Sequence, residues 1–193
     1  MTDTEKDLSK RILDTAKNLF VNKGYHGMSM REISDALGVT KAALYYHFKD
    51  KEELFLAILK TYLEKMSSTL DRITVEPVSS AQKVRSFVDY VLTQPSEERA
   101  IIRLATQEIN QLSPETRRMF GSIYQEKFIN KLQAILQEGM DRGDFRTIPG
   151  EIAVWALLGI MFPYFYPSHL KDPTIPPETI DEVSRIFFQG ISK

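Results

Sequence analysis

The 193-residue chain has no cysteine, one tryptophan and only three histidines, His26, His47 and His169. Without cysteine there is no disulfide framework and no thiolate metal site. The histidines are far apart in sequence, and neither a His-Glu-x-x-His nor a Glu-x-x-His pairing sets an imidazole beside a carboxylate on one helix face. A Gly-x-Ser-x-Gly elbow and a glycine-rich phosphate loop are also missing. Hydrolytic and nucleotide chemistry therefore has no local signature, no cofactor is expected, and a helical enzyme built from distant groups stands as a remote alternative. No stretch has the roughly 20 apolar residues of a membrane span. The most apolar one, 152–168, carries no formal charge but is interrupted by Pro163 and Pro167. No charged-then-apolar leader opens the chain, so a reducing cytoplasm is the expected compartment and no membrane partner is expected. Charge of one sign is scarce too: the net charge is −1 and the pI about 6.3, which argues against a general DNA coater.

What is present is a dense local pattern over residues 29–51. Ser29 followed by Glu32 is a capping box that opens a helix. Met30, Ile33 and Leu37 give that helix one buried face, and Gly38 ends it where a turn commonly needs positive φ. Thr40 caps a second helix through its hydroxyl, and Asp50 with Glu53 forms a further capping box for the helix that follows. At about 100° per residue, Leu44 and Phe48 fall together as the buried face of the second helix, and Ala42 and Tyr46 point away from it. Lys41 and Tyr45 flank these on one side, Ala43 and His47 on the other. Two alanines at the helix start allow close approach of a backbone. Lys41, Tyr45, Tyr46 and His47 can each donate to phosphate oxygens, and Lys41 can also reach a guanine edge. Two short helices joined by a glycine turn, the second with a small, aromatic and cationic outer face, describe a helix-turn-helix that enters the DNA major groove. An ordinary pair of packed helices with a solvated face is the plainer alternative, and two adjacent exposed tyrosines speak against it.

The run from Gly38 to Leu54, with the lead-in Ser29-Met30-Arg31-Glu32-Ile33-Ser34, resembles the signature of the tetracycline-repressor (TetR) family of bacterial transcriptional regulators. The match is specific over roughly residues 8–58 and diffuse beyond. Ala42 stands where the family often has glycine, and Ser34 where alanine is frequent. The resemblance implies that Lys41, Tyr45, Tyr46, His47 and Lys51 face DNA, with Arg31 and Thr40 assisting and Ala42 on the same face. For His47 a partly buried spacer is the open alternative. The charge distribution leans the same way, though weakly: residues 1–51 hold nine Lys/Arg and seven Asp/Glu, the remainder sixteen and nineteen.

The rest of the chain reads as helix, so an all-α protein is expected, without strands, internal repeats or low-complexity tracts. Ile12, Leu13, Ala16, Leu19 and Phe20 mark a first helix ending near Gly24. Leu54, Phe55, Ile58, Tyr62 and Met66 carry a stripe for about four turns after Asp50. Further helices are marked by Val84–Val91, by Ile101–Leu112 after Ser96, and by Phe120–Ile135 as one long helix from Ser113-Pro114 to about Met140. The aromatic stretch 152–168 reads as a helix buried on several sides. Ile180, Val183, Phe187 and Ile191 form a last amphipathic helix.

The expected organisation is a helix-turn-helix DNA-binding domain over 1–52 and a helical effector-binding and dimerisation domain over 53–193. The resemblance implies a homodimer through a four-helix bundle of the last two helices of each subunit. It also implies a palindromic operator on double-stranded DNA and a small-molecule effector held among the middle helices. Candidate effector contacts are Tyr62, Met66, Phe87, Tyr90, Gln107, Tyr124, Phe128, Trp155 and Phe162, whose chemistry suits an apolar or aromatic molecule; aromatic positions at helical spacing also serve as plain core. The function that follows is a ligand-responsive transcriptional repressor. A ligand-independent regulator or an activator is the alternative, since operator position is not written in the chain.

Overall fold

The structure, a computed structural model, describes residues 3–166 and 174–191, with side chains from residue 7 onward. His169 and Pro167 lie outside the described residues. All regular structure among the described residues is helical, which bears out the all-α reading. By packing, the chain forms two compact units: Met1–Tyr62 with Ile101–Phe120, and Leu63–Ala100 with Gly121–Lys193.

In the first unit, α1 (Asp3–Lys23) buries Ile12, Ala16 and Phe20. α2 (Met30–Leu37) opens on the expected capping box: the Glu32 N–H donates to Ser29 Oγ at 3.3 Å, and the Ser29 N–H donates to Glu32 Oε2 at 2.8 Å. Gly38 ends it at φ 67°, a left-handed conformation that favours glycine because a Cβ would crowd the backbone. α3 (Lys41–His47) is capped by Thr40, whose hydroxyl oxygen accepts from the Ala43 N–H at 3.2 Å. Leu44 and Phe48 are buried beneath it. α4 (Lys51–Val75) starts with Asp50 Oδ1 accepting from the Glu53 N–H at 2.7 Å. The reciprocal arm of that box is displaced by one residue, since Glu53 Oε2 takes the N–H of Lys49 rather than that of Asp50. α4 is 25 residues long, well beyond the four turns expected, because Leu70 and Ile73 extend its buried stripe after Met66, and from Leu63 on it belongs to the second unit. The rings of Phe20, Tyr25 and Phe55 meet at 5.0–5.9 Å between centroids and form the centre of this unit. The unit is completed by most of α6 (Ser96–Glu108), a 3-10 turn (Ile109–Gln111) and the start of α7 (Pro114–Tyr124).

In the second unit, α5 (Ser80–Leu92) opens on a capping box between Ser79 and Gln82. The long helix expected from 114 to about 140 is instead α7, a π turn (Gln125–Ile129) and α8 (Asn130–Asp141). The Asn130 N–H bonds to the Gln125 carbonyl, five residues back. The wider turn adds a residue to the helical repeat and shifts its phase, so that Phe128 and Ile129 are both buried and the apolar stripe resumes at Leu132, Ile135 and Leu136. α8 packs on α5 and on α9 (Gly150–Met161), and α10 (Pro177–Ile191) packs on α5 and α9. Gly139 is required here, because a Cβ on it would lie 2.3 Å from the buried Phe145 ring. Within the single chain α9 is covered on one side, and the expectation of burial on several sides counted a partner subunit among them. Ala153, Val154, Leu157 and Met161 face inward, whereas Ile152 is 60% and Trp155 50% exposed.

Candidate nucleic-acid interface

The backbone signals that build α3 determine which side chains it presents. Thr40 fixes the helix start, Leu44 and Phe48 anchor one face, and the remaining positions are left outward. Lys41, Ala42, Tyr45 and Tyr46 are all exposed, Tyr46 at 76% and Tyr45 at 49%. An exposed tyrosine leaves apolar ring area in water and a hydroxyl free to donate, a combination suited to a surface that is wet only until a partner arrives. His47 is half-buried, with its ring edge-on to Tyr46 at 5.4 Å. Thr40 is exposed but its hydroxyl oxygen already serves as the cap. No acidic residue stands in the first turn of α3. Arg31 is exposed on α2, with Nε 3.7 Å from the Asp35 carboxylate. Ser34, the departure from the small apolar residue usual there, is buried, and its hydroxyl donates to the Arg31 carbonyl at 2.8 Å.

Lys51 is turned inward. Its Nζ donates to the Tyr25 carbonyl at 2.8 Å and the Met28 carbonyl at 3.3 Å, and lies 4.3 Å from the centre of the Tyr25 ring. Next to it, Glu52 Oε1 accepts from the Ser113 hydroxyl at 2.7 Å and the Ser113 N–H at 3.2 Å. The Thr116 and Ser113 hydroxyls hold the Glu52 carboxyl below its usual range. His26 Nε2 and Gln111 Oε1 are 2.6 Å apart. Burial pushes the Tyr25 hydroxyl upward, with Glu52 and then Asp50 adding to the shift. Sequence reasoning missed the pairs Glu52–Ser113 and His26–Gln111. Ser113-Pro114 is legible as a helix start, but no local signal names a partner 61 residues away.

The candidate effector residues are spread. Met66, Phe87 and Phe128 are buried, and Tyr90 and Tyr124 are half-buried, all in the second unit. The Phe128 ring lies 5.9 Å from Phe87 and 5.3 Å from Tyr124, whose hydroxyl is pushed up to about 12 by burial. Tyr62 and Gln107 belong to the first unit, Gln107 with its side chain exposed. Trp155 and Phe162 are exposed. The second unit also holds an open cleft of about 580 Å³, lined by Arg85, Asp89, Thr93, Glu97, Arg99 and Ile180 among others, and by none of the nine expected residues. Among the described residues, no cluster of three or more His, Asp or Glu is placed to hold a metal ion, and no helix is long and apolar enough to cross a membrane.

Comparison with known proteins bears on this geometry directly. Residues 12–58 match the family described as bacterial regulatory proteins, tetR family, and residues 77–163 match a tetracyclin repressor-like C-terminal domain. The chain is 26% identical over 166 residues to the probable HTH-type transcriptional regulator YttP of Bacillus subtilis (strain 168), covering 84% of this chain and 79% of that protein. It is 26% identical over 196 residues to the HTH-type transcriptional regulator QacR of Staphylococcus aureus (strain Mu50), covering 97% of this chain and all of QacR. The crystal structure of the TetR family transcriptional regulator PfmR from Thermus thermophilus superposes with a TM-score of 0.75 at 28% identity, over 93% of this chain and 95% of that one. The first match spans the helix-turn-helix with its outward Lys41, Tyr45 and Tyr46, the second spans the helices of the second unit, and the chain therefore belongs to the tetR family of bacterial regulatory proteins, which regulate transcription by binding DNA.

Proposed function

We propose that the protein is a homodimeric repressor that reads a palindromic operator with α3 and releases it when a small apolar or aromatic molecule binds. The observation that carries the reading is the outward face of α3: Lys41, Ala42, Tyr45 and Tyr46 exposed together on a helix whose other face is locked by Leu44 and Phe48. In this reading residues 1–52 form the DNA-binding domain and 53–193 the effector and dimerisation domain. Lys41 serves base and phosphate contacts. Tyr45, Tyr46 and His47 serve phosphate, and Arg31 and Thr40 assist. Ala42 permits close approach of the helix to the bases.

Dimerisation is supported by exposed apolar side chains on two helices that pack together: Ile152 and Trp155 on α9, and Ile186 on α10. A recognition helix of seven residues reads few bases, and a second copy related by a dyad doubles the site. Trp155 is accordingly assigned to the dimer face rather than to the effector. The effector is assigned to the aromatic interior around Phe87, Tyr124 and Phe128, with Met66 and Tyr90 as further contacts. The protein acts in the cytoplasm, where operator DNA is found, and catalysis is no part of this reading.

A ligand-independent regulator is the second reading. It is favoured by the ring contacts of Phe87, Tyr124 and Phe128, which already serve one another as packing partners. One sequence of measurements tests both. Selection from a random duplex pool is expected to return a two-fold symmetric site. A thermal-shift screen of apolar and aromatic metabolites, followed by titration of each hit into the protein–operator complex, is expected to release DNA. Couplings of this kind amount to roughly 5–150-fold in affinity and are reciprocal between the two ligands. No enriched sequence from the selection overturns the DNA reading. Hits that leave operator affinity unchanged, or no hit at all, favour the ligand-independent one.

A further inference from the structure

Lys51 and Glu52, adjacent at the start of α4, reach to two different neighbours. Lys51 grips the α1–α2 turn through the carbonyls of Tyr25 and Met28. Glu52 grips Ser113, the residue that precedes α7 and whose Oγ also accepts from the Thr116 N–H at 3.2 Å. The two neighbours are themselves joined, since His26 in the α1–α2 turn meets Gln111 in the segment before α7 at 2.6 Å. The three contacts close a triangle whose corners are the turn at 25–28, the first turn of α4 and residues 111–116.

The placement of Lys51 has a cost that calls for a reason. A cation at the first position of a helix opposes the positive end of the macrodipole, where Glu52 and Glu53 are favoured. The ammonium is stabilised instead by two carbonyl acceptors and the face of Tyr25. Two of its three N–H groups are thereby committed to the protein. α3 ends at His47, and Phe48, buried, and the two residues after it lead straight into this turn. The first turn of α4 therefore sets where the end of α3 lies.

We propose that Lys51 serves operator binding as a positioning residue rather than a phosphate ligand, and that with Glu52 it braces α4 between the α1–α2 turn and Ser113 so as to fix the pose of α3. The inference rests on the DNA-binding reading above. It departs from the role that the family resemblance assigns to Lys51.

Salt dependence separates the two roles. Removing a side chain that neutralises one phosphate lowers the slope of log affinity against log salt by about 0.9. Operator affinity of the full-length protein is to be measured across a salt series for the wild type and for Lys51→Met, Ser113→Ala, Glu52→Ala and Glu52→Gln. Lys51→Met is expected to weaken binding at least about fivefold, the scale of one hydrogen bond, with the slope unchanged. Ser113→Ala and Glu52→Ala should weaken binding with the slope unchanged. Glu52→Gln, whose amide oxygen still accepts from Ser113, should lose less than Glu52→Ala. A Lys51→Met slope lowered by about 0.9, or unaltered affinity in Lys51→Met, overturns the proposal. If Lys51→Met does not fold, the wild type labelled with 15N-lysine answers instead: the Lys51 ammonium resonance should stay in place when operator is added, and a shift as large as that of Lys41 overturns the proposal. A wild type that selects no DNA sinks the DNA-binding reading and this inference together. A wild type that binds while its brace variants bind equally well sinks only the inference.

Discussion

Lys83 Nζ on α5 meets Glu138 Oε2 on α8 at 2.9 Å, with the lysine side chain 7% exposed and the glutamate 27%. The two ends of this pair are unequally placed. Glu138 also faces Arg142 at 2.8 Å and reaches water, whereas Lys83 meets Glu138 from a buried setting. Removing the glutamate strands an ammonium in the interior, while removing the lysine leaves a carboxylate still paired. Glu138→Ala is expected to destabilise by roughly 2–3 kcal/mol, short of the ~3–5 kcal/mol typical of fully buried pairs because one partner is partly wet. Lys83→Met, which keeps the aliphatic stem, is expected to cost about 1 kcal/mol. Urea unfolding of both variants measures the difference, and equal or reversed costs would contradict the asymmetry.

Acid should weaken the fold through Glu52 and Glu138. The Thr116 and Ser113 hydroxyls hold Glu52 low, and the Lys83 ammonium holds Glu138 low. A carboxyl depressed in the folded state contributes stability that is fully present above its unfolded value of about 4.3 and is lost as pH falls through the folded value. The melting temperature is therefore expected to change little on this account from pH 7 to 5 and to fall below about pH 4.5. Ser113→Ala should flatten part of that fall by removing one of the groups that favours ionised Glu52. An acid limb identical to wild type would show that this hydroxyl contributes nothing to it.

The apolar surface of α9 is predicted to be covered by a second copy of the chain. Trp155→Glu or Ile152→Glu places a charge at positions that are 50% and 60% exposed in the single chain. A monomer should tolerate such changes, and a dimer should dissociate. Sedimentation is expected to show the wild type at twice 22.2 kDa and the variants at 22.2 kDa. The wild type should also require both half-sites, with centres about 34–36 Å apart or a multiple of that. A 22.2 kDa wild type at micromolar concentration, or full affinity for a single half-site, would rule the dimer out.

On α3 base and phosphate contacts can be told apart by mutation. Lys41→Ala is expected to lower affinity and, where Lys41 reads a base edge, to relax preference at one operator position by about 1–3 kcal/mol. Tyr46→Phe removes a donor without altering the ring, and should weaken binding evenly across operator variants, since phosphate contacts carry no base information. Binding to a panel of singly substituted operators distinguishes the two patterns. Wild-type affinity in both variants would show that this face does not touch DNA.

The sequence by itself determined what is local. Ser29 with Glu32, Gly38, Thr40 with Ala43, and Leu44 with Phe48 act over at most four residues, through caps, a left-handed turn and helical period, so the helix-turn-helix is legible in the chain and the structure holds it as read. Tertiary structure decided what lies across such faces. Helical period says which side is apolar or charged, but not whether another helix, a ligand, DNA or a second copy covers it. Resemblance places Lys51 outward, yet it turns to carbonyls 26 and 23 residues back. Composition marks Trp155 as a side chain to be covered, yet nothing within the single chain covers it, and it is half exposed. The π turn at Gln125–Ile129 changes the phase of a stripe that period alone would continue. Each of these outcomes is fixed by contacts between segments distant in sequence, whose geometry exists only once the chain has packed.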